Sequence, residues 1–108
     1  MLDWTPEQLQ EELDQGKSVF LKLWKPGCGP CKMSEPALAR IEPKYADQMT
    51  FAQINAVEYP EMFEIANTEI LPVFYMFRDR KRIGQHIGFK GIKKLQEFIR
   101  ESLDGSGE

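Results

Sequence analysis

Cys28 and Cys31 are the only cysteines in the chain, and two residues separate them in "WKPGCGPCKM", residues 24–33. A thiolate is the nucleophile in disulfide exchange, so a pair at this spacing suits dithiol–disulfide chemistry. The pair stands where an apolar strand ends and a helix begins. Free N–H groups and the partial positive charge at a helix N-terminus stabilise an anion there. Pro30 suits the first helical turn, and Gly29 permits a tight approach. We expect Cys28 to attack a substrate disulfide and Cys31, one turn deeper, to resolve the mixed disulfide. Two structural thiols that happen to lie close are the bland alternative.

Other uses of cysteine fit less well. Two cysteines cannot build the multi-bridge framework of a small secreted domain. A four-ligand zinc site is short of donors, because His86 is the only histidine. Zinc shared between two chains stays open. A Cys–His catalytic pair would need His86 near Cys28, but "IGQHIG" places it mid-strand in an edge hairpin, facing solvent.

The elements that must hold the cysteines follow from local signals. "TPEQ" starts a helix, with Thr5 as N-cap, Pro6 at its first position and Gln8 closing a capping box. Trp4 and Leu9 occupy the staple positions, Leu9 and Leu13 share an apolar face, and Gly16 ends the helix. "SVFLKLW", 18–24, reads as a central strand covered on both faces. Met33, Ala37, Leu38, Ile41 and Tyr45 have helical spacing from about Cys31 to Tyr45. Pro36 should kink that helix, and Pro43 either kinks it again or ends it early.

"TFAQINA", 50–56, alternates like a strand, and "YPEMFEIANTE", 59–69, is a short helix. "ILPVFYMF" is another apolar strand, "RDRKR", 78–82, a turn, and "IGQHIG" a returning strand. The last helix runs from about Ile92 to Leu103, with Leu95, Phe98 and Ile99 inward and Gly105 as its cap. The order αβαβαββα, with at most a strand stub in residues 1–4, implies an α/β fold with a mixed sheet. We expect one domain over residues 1–104 and a disordered tail at 105–108.

Composition narrows the function. A chain of 108 residues holds one domain. A formal net charge of −3 argues against nucleic-acid binding as the main business. Apolar runs are too short to span a membrane, and the acidic N-terminus lacks an apolar signal region, so a cytoplasmic home is the default. "RDRKR" with Lys90, Lys93 and Lys94 makes the C-terminal third basic, read as solvated surface, with docking of an acidic partner as the sharper alternative. Met33, Met49, Met62 and Met76 read as core or edge filling.

The run "W…CGPCKM", then "EPAL", "LPVF" and "IGF" before a final amphipathic helix, resembles the thioredoxin family in order and spacing. The resemblance covers nearly all of the chain after residue 5. It implies the thioredoxin fold, a central mixed sheet of four to five strands flanked by helices, and reduction of protein disulfides without a bound cofactor. It also implies electrons from a flavoprotein reductase using NADPH, or a ferredoxin-linked one; a monomer is the default. By the same resemblance Pro72 follows a cis bond and faces the cysteines, and Leu71 offers its backbone to a substrate strand. Gly88 lets substrate approach, and Trp24 packs beside the active site.

Several positions depart from the family. Gly27 stands where the family has tryptophan, which should alter partner recognition. Lys22 replaces a buried aspartate beneath the cysteines, and Gln53 replaces that acid's lysine partner. Three outcomes are open for Lys22. It is neutral through a depressed pKa, it reaches an acid such as Glu58 or solvent, or it stays charged and stabilises thiolate, which makes the disulfide more oxidising. A Lys22 that points away from the cysteines and tunes nothing is the bland alternative. Val57 stands in place of an aspartate. Phe89, with Trp24, Pro26, Leu71 and Ile87, could form an apolar docking rim, or be one exposed aromatic. These changes favour a specialised member. A more oxidising oxidase or isomerase, and a binding or chaperone module whose dithiol is secondary, remain the other readings.

Overall fold

A computed structural model describes residues 1–105 of the chain. The elements run β1 (Leu2–Asp3), α1 (Pro6–Asp14), β2 (Val19–Trp24), α2 (Gly29–Tyr45), β3 (Thr50–Asn55), α3 (Glu61–Ala66), β4 (Val73–Arg78), β5 (Lys81–Ile87) and α4 (Ile92–Asp104). The five strands form one sheet in the order β1-β3-β2-β4-β5. β2 pairs in parallel with β3, as does β1, while β4 runs antiparallel to both β2 and β5. The strand stub is therefore β1, whose Asp3 stands opposite Gln53.

β2 lies at the centre because both of its faces are apolar. Val19, Leu21 and Leu23 join Leu9 of α1 and Met62 and Ala66 of α3 in one core layer. Phe20 joins Leu38 and Ile41 of α2, Phe74, and Leu95 and Ile99 of α4 in the other. Period-2 alternation thus sorts one strand between two layers. The same alternation sends Lys22 into the layer of Phe20, beneath α2.

The capping box of α1 forms as expected: Thr5 Oγ1 accepts from Gln8 N–H at 3.1 Å, and Gln8 Oε1 accepts from Thr5 N–H at 2.8 Å. Trp4 and Leu9 are both buried. α2 begins two residues earlier than its apolar spacing suggested, because Cys28 is itself the N-cap. It also runs through Pro43 to Tyr45, so Pro43 does not end it early. α3 is shorter than its sequence window and stops at Asn67, in the left-handed region at φ 55°.

The expected five-residue turn is smaller. Arg78 ends β4, Lys81 begins β5, and only Asp79 and Arg80 turn, with φ 52° and 68°. Positive φ at both positions is what a two-residue type I′ hairpin requires. The arginines are largely engaged within the fold. Arg78 donates to the Leu103 carbonyl at 3.0 Å, Arg80 to the Asp14 carbonyl at 2.8 Å, and Arg82 lies over the Tyr75 ring.

α4 packs so closely on β5 that glycine is needed at the crossing. A Cβ on Gly84 would collide with Ser102 Oγ and lie 2.8 Å from Phe98 Cε1. Gly105 caps α4 at φ 73°, so this residue of the expected tail belongs to the helix end; the rest of that tail lies outside the described residues. Among the described residues no helix is long and apolar enough to cross a membrane.

Candidate active site

β2 delivers the chain to the cysteines, and α2 starts on them. Cys28 has extended backbone at φ −89° and ψ 110°, the geometry of an N-cap. Its Sγ accepts the backbone N–H of Cys31 at 3.2 Å. Its sulfur is bonded to that of Cys31, with the Cα atoms 5.3 Å apart. Cys28 keeps 6% of its surface exposed and Cys31 3%. The sulfur that can hold negative charge is thus the one that already accepts a helix N–H.

The approach segment is exposed at Lys25, Pro26 and Gly27. Gly27 has φ +75°, a conformation that an L side chain adopts only with strain. Any side chain at this position would carry that strain, although the space where a Cβ would stand is open.

The loop before β4 closes the other side. The Leu71–Pro72 bond is cis, and the Leu71 carbonyl oxygen lies 3.8 Å from Cys28 Sγ. The Pro72 carbonyl accepts Gly88 N–H at 2.7 Å, which ties the end of β5 to the same loop. Gly88 has φ +83° with open space where a Cβ would stand. Cys28, Cys31, Leu71, Pro72 and Gly88 therefore converge, although they come from three parts of the chain.

Lys22 reaches this cluster from below. It is 2% exposed, and Nζ donates to the Cys31 carbonyl oxygen at 3.0 Å. Lys22 therefore does not point away from the cysteines, and it does not snorkel to solvent. Glu58 is not its partner either: Glu58 is exposed and lines a separate pocket with Trp24 and Tyr59. The acid that acts on Lys22 is Glu35, four residues beyond Cys31 on α2. Burial pushes the amine below its ordinary pKa of 10.5, and Glu35 opposes that shift. Gln53 Nε2 donates to Asp3 Oδ1 at 2.8 Å. The i, i+4 relation of Cys31 and Glu35 was the available sequence signal for Glu35.

Trp24 is half-buried beside the first core layer, and its Nε1 is buried without a hydrogen-bond partner among the described residues. Val57 is exposed, and its N–H donates to Asn55 Oδ1 at 2.9 Å.

Three expectations need correction. His86 does not face solvent: its ring lies 5.2 Å from Phe98 and 6.2 Å from Phe74, beneath α4. Burial pushes its pKa below 6.5, and the nearby Lys90 adds to this. Phe89 is not a lone exposed aromatic but packs half-buried against the layer of α2 and α4. Met33 is not core; it is 68% exposed in the first turns of α2, whereas Met49, Met62 and Met76 are buried. With Ile70 and Ile87 it leaves apolar surface on the segments that carry Cys31, Leu71 and Gly88. Sequence reasoning missed Met33 and Ile70, because an apolar residue in an apolar stretch reads as core. Among the described residues no group of three or more His, Cys, Asp or Glu side chains could hold a metal ion.

The thioredoxin family model matches residues 1–101. The thioredoxin of Alicyclobacillus acidocaldarius subsp. acidocaldarius is 27% identical over 99 residues, 92% of this chain and 94% of that protein. Thioredoxin 1 of Synechococcus elongatus is 30% identical over 79 residues, 73% of this chain and 74% of its own length. The oxidized form of mitochondrial thioredoxin 3 from Saccharomyces cerevisiae shares the fold with a TM-score of 0.82, over 94% of each chain at 22% identity.

Proposed function

The chain belongs to the thioredoxin family and is a thiol–disulfide oxidoreductase with Cys28 and Cys31 as its active-site pair, and we propose that it serves as a specialised reductase of protein disulfides. Cys28 is the attacking thiolate and Cys31 the resolving thiol. One observation carries these roles: Cys28 Sγ accepts the Cys31 N–H at the start of α2 and faces the Leu71 carbonyl. A thiolate at that place is stabilised by the helix end.

The catalytic cycle follows from the same geometry. Cys28 attacks one sulfur of the substrate disulfide and releases the other as a thiolate. Cys31 then attacks Cys28 Sγ, the substrate's second sulfur leaves with the electron pair, and the protein is left as the disulfide. The Leu71 backbone and the open space at Gly88 admit an extended substrate segment beside the sulfurs. Gly29 and Pro30 shape the turn, and Trp24 supports it from the side. Gly27 in place of a bulky indole, and exposed Met33, Ile70 and Ile87, favour a narrow set of apolar-surfaced partners. A reductase of the thioredoxin-reductase type returns electrons to the disulfide, in a reducing compartment such as the cytoplasm, with the chain acting as a monomer over residues 1–104.

The test is a trap. Cys31→Ser should accumulate mixed disulfides through Cys28 with discrete protein partners, released by dithiothreitol. Biological function that survives Cys28→Ser and Cys31→Ser would instead favour a binding module. A second reading, a more oxidising oxidase or isomerase, is favoured by the buried Lys22 amine at Cys31. Equilibration with glutathione buffers separates the two, against reference potentials of about −270 mV for thioredoxin and about −180 mV for protein disulfide isomerase.

A further inference from the structure

The three parallel strands end side by side, β1 at Asp3, β3 at Asn55 and β2 at Trp24. α2 follows β2 and α3 follows β3, and the two helices cover opposite faces of the sheet. Neighbouring parallel strands whose helices part in this way leave a crevice outside the strand ends, where open α/β sheets take their ligands. Such a crevice is present, with a volume of about 360 Å³ and Asp3, Trp4, Trp24, Asn55, Glu58 and Tyr59 in its walls. One of these residues has a polar atom unaccounted for. Trp24 Nε1 is buried and finds no acceptor among the described residues. A buried indole N–H ordinarily has one, so an occupant that brings a carbonyl oxygen removes a deficit.

Charge identifies the occupant further. Asp3 and Glu58 stand in the wall, and no lysine, arginine or histidine lines it among the described residues. Partial burial raises the Tyr59 hydroxyl above its ordinary pKa of 10.0, and the carboxylates of Glu58, Glu7 and Glu61 raise it further. None of these three glutamates is ion-paired among the described residues. The rim is set in advance. Asn55 Oδ1 accepts the N–H groups of Val57 at 2.9 Å and Glu58 at 3.3 Å, and Tyr59 N–H donates to the Asn55 carbonyl at 3.0 Å. Unpaired carboxylates beside the rings of Trp24 and Tyr59 suit a cation.

We propose that this crevice receives a lysine or arginine side chain of the protein whose disulfide is exchanged, with a backbone carbonyl of the same segment accepting the Trp24 indole N–H. The inference rests on the exchange reading above and names the chemistry of the partner. Trp24 and Tyr59 pack against the core layer that contains Cys28 and Cys31, so the crevice adjoins the sulfurs. Four residues lead from Trp24 to Cys28, at most about 14 Å of extended chain. An extended substrate segment covers that distance in about four residues, so its basic residue lies about four positions from the attacked cysteine.

The experiment uses reduced protein and peptides of one sequence. Each peptide carries a single cysteine as its mixed disulfide with thionitrobenzoate, and arginine, citrulline or glutamate four positions before or after it. Release of thionitrobenzoate is the first, bimolecular phase and reports attack by Cys28. At one of the two placements arginine should react about five- to thirtyfold faster than citrulline, from an ion pair and a cation–π contact together, and glutamate more slowly than citrulline. Added salt should shrink the ratio. Glu58→Gln should remove most of it, whereas Glu64→Gln, which deletes the same charge from α3 outside the crevice wall, should keep it. A ratio near one, equal loss in the two variants, or a preference for glutamate overturns the proposal. The Trp24 indole ¹⁵N–¹H resonance should shift when the native protein is titrated with the arginine peptide bearing serine for cysteine; an unmoved resonance also overturns it. Failure of every peptide to release thionitrobenzoate would overturn the exchange reading instead.

Discussion

The Cys31 N–H donates to Cys28 Sγ across 3.2 Å, so the helix that carries the active site is capped by its own redox sulfur. A structural duty of the first helical turn, satisfying an orphan donor, coincides with the chemical duty of stabilising a thiolate. The same atom serves both, and the two can be separated by substitution.

Cys28→Ser keeps a side-chain acceptor at the N-cap, whereas Cys28→Ala removes it. In reductant, Cys28→Ala should be less stable than Cys28→Ser by about 1 kcal/mol, while both abolish exchange. Urea unfolding of the two variants, with Ellman's reagent to follow the first phase, checks both statements.

Gly84 is a packing position. Gly84→Ala would drive a Cβ into Ser102 Oγ and towards Phe98 Cε1. We expect a loss of about 1–3 kcal/mol, seen as a lower urea midpoint. Ser102→Ala removes one of the colliding atoms, so the double variant should recover part of the loss in a double-mutant cycle.

His86 should give the fold an acid-sensitive component. Its folded pKa lies below the ordinary 6.5, so the unfolded chain binds the proton more readily. The stability that neutral His86 contributes is present above about pH 6.5 and is lost as pH falls through the lower folded value. His86→Phe keeps an aromatic ring between Phe74 and Phe98 and should flatten that limb of a plot of unfolding free energy against pH. An acid limb unchanged in His86→Phe would contradict this.

Lys22 carries a cost to stability. Its folded pKa is depressed, so holding the ammonium at neutral pH is a burden on the folded state. Lys22→Met leaves the Cys31 carbonyl satisfied by Ser34. It should raise stability at pH 7 by about 0.5–2 kcal/mol. The gain should shrink as pH rises through the folded value and vanish above 10.5, where the wild-type amine is neutral in both states. Thermal unfolding of the oxidised proteins at pH 7 and pH 10 tests the sign.

What could be read directly was local. Thr5, Pro6 and Gln8 announced the start of α1 because a capping box closes within four residues. The apolar run through β2 announced a strand covered on both faces, and Cys28, Gly29 and Pro30 announced a strand-to-helix junction. Pro72 was placed by resemblance, and the fold sets its cis bond against Cys28. Where the reading slipped, the competing influence came from elsewhere in the chain. α2 continues past Pro43 because Leu38 and Ile41 anchor it to the sheet. Met33 has the same periodicity as its apolar neighbours, but no element covers it.

The sequence by itself determined the kinds and order of the elements, the positions of the caps and the cysteine pair at its junction. Those features depend on residues a few positions apart, whose geometry the backbone restricts. Tertiary structure alone decided that Lys22 meets the Cys31 carbonyl rather than Glu58, and that His86 lies under α4 rather than in solvent. Each outcome depends on which helix covers which face of the sheet. That choice is made by burying the two apolar layers together, over contacts between residues far apart in the chain.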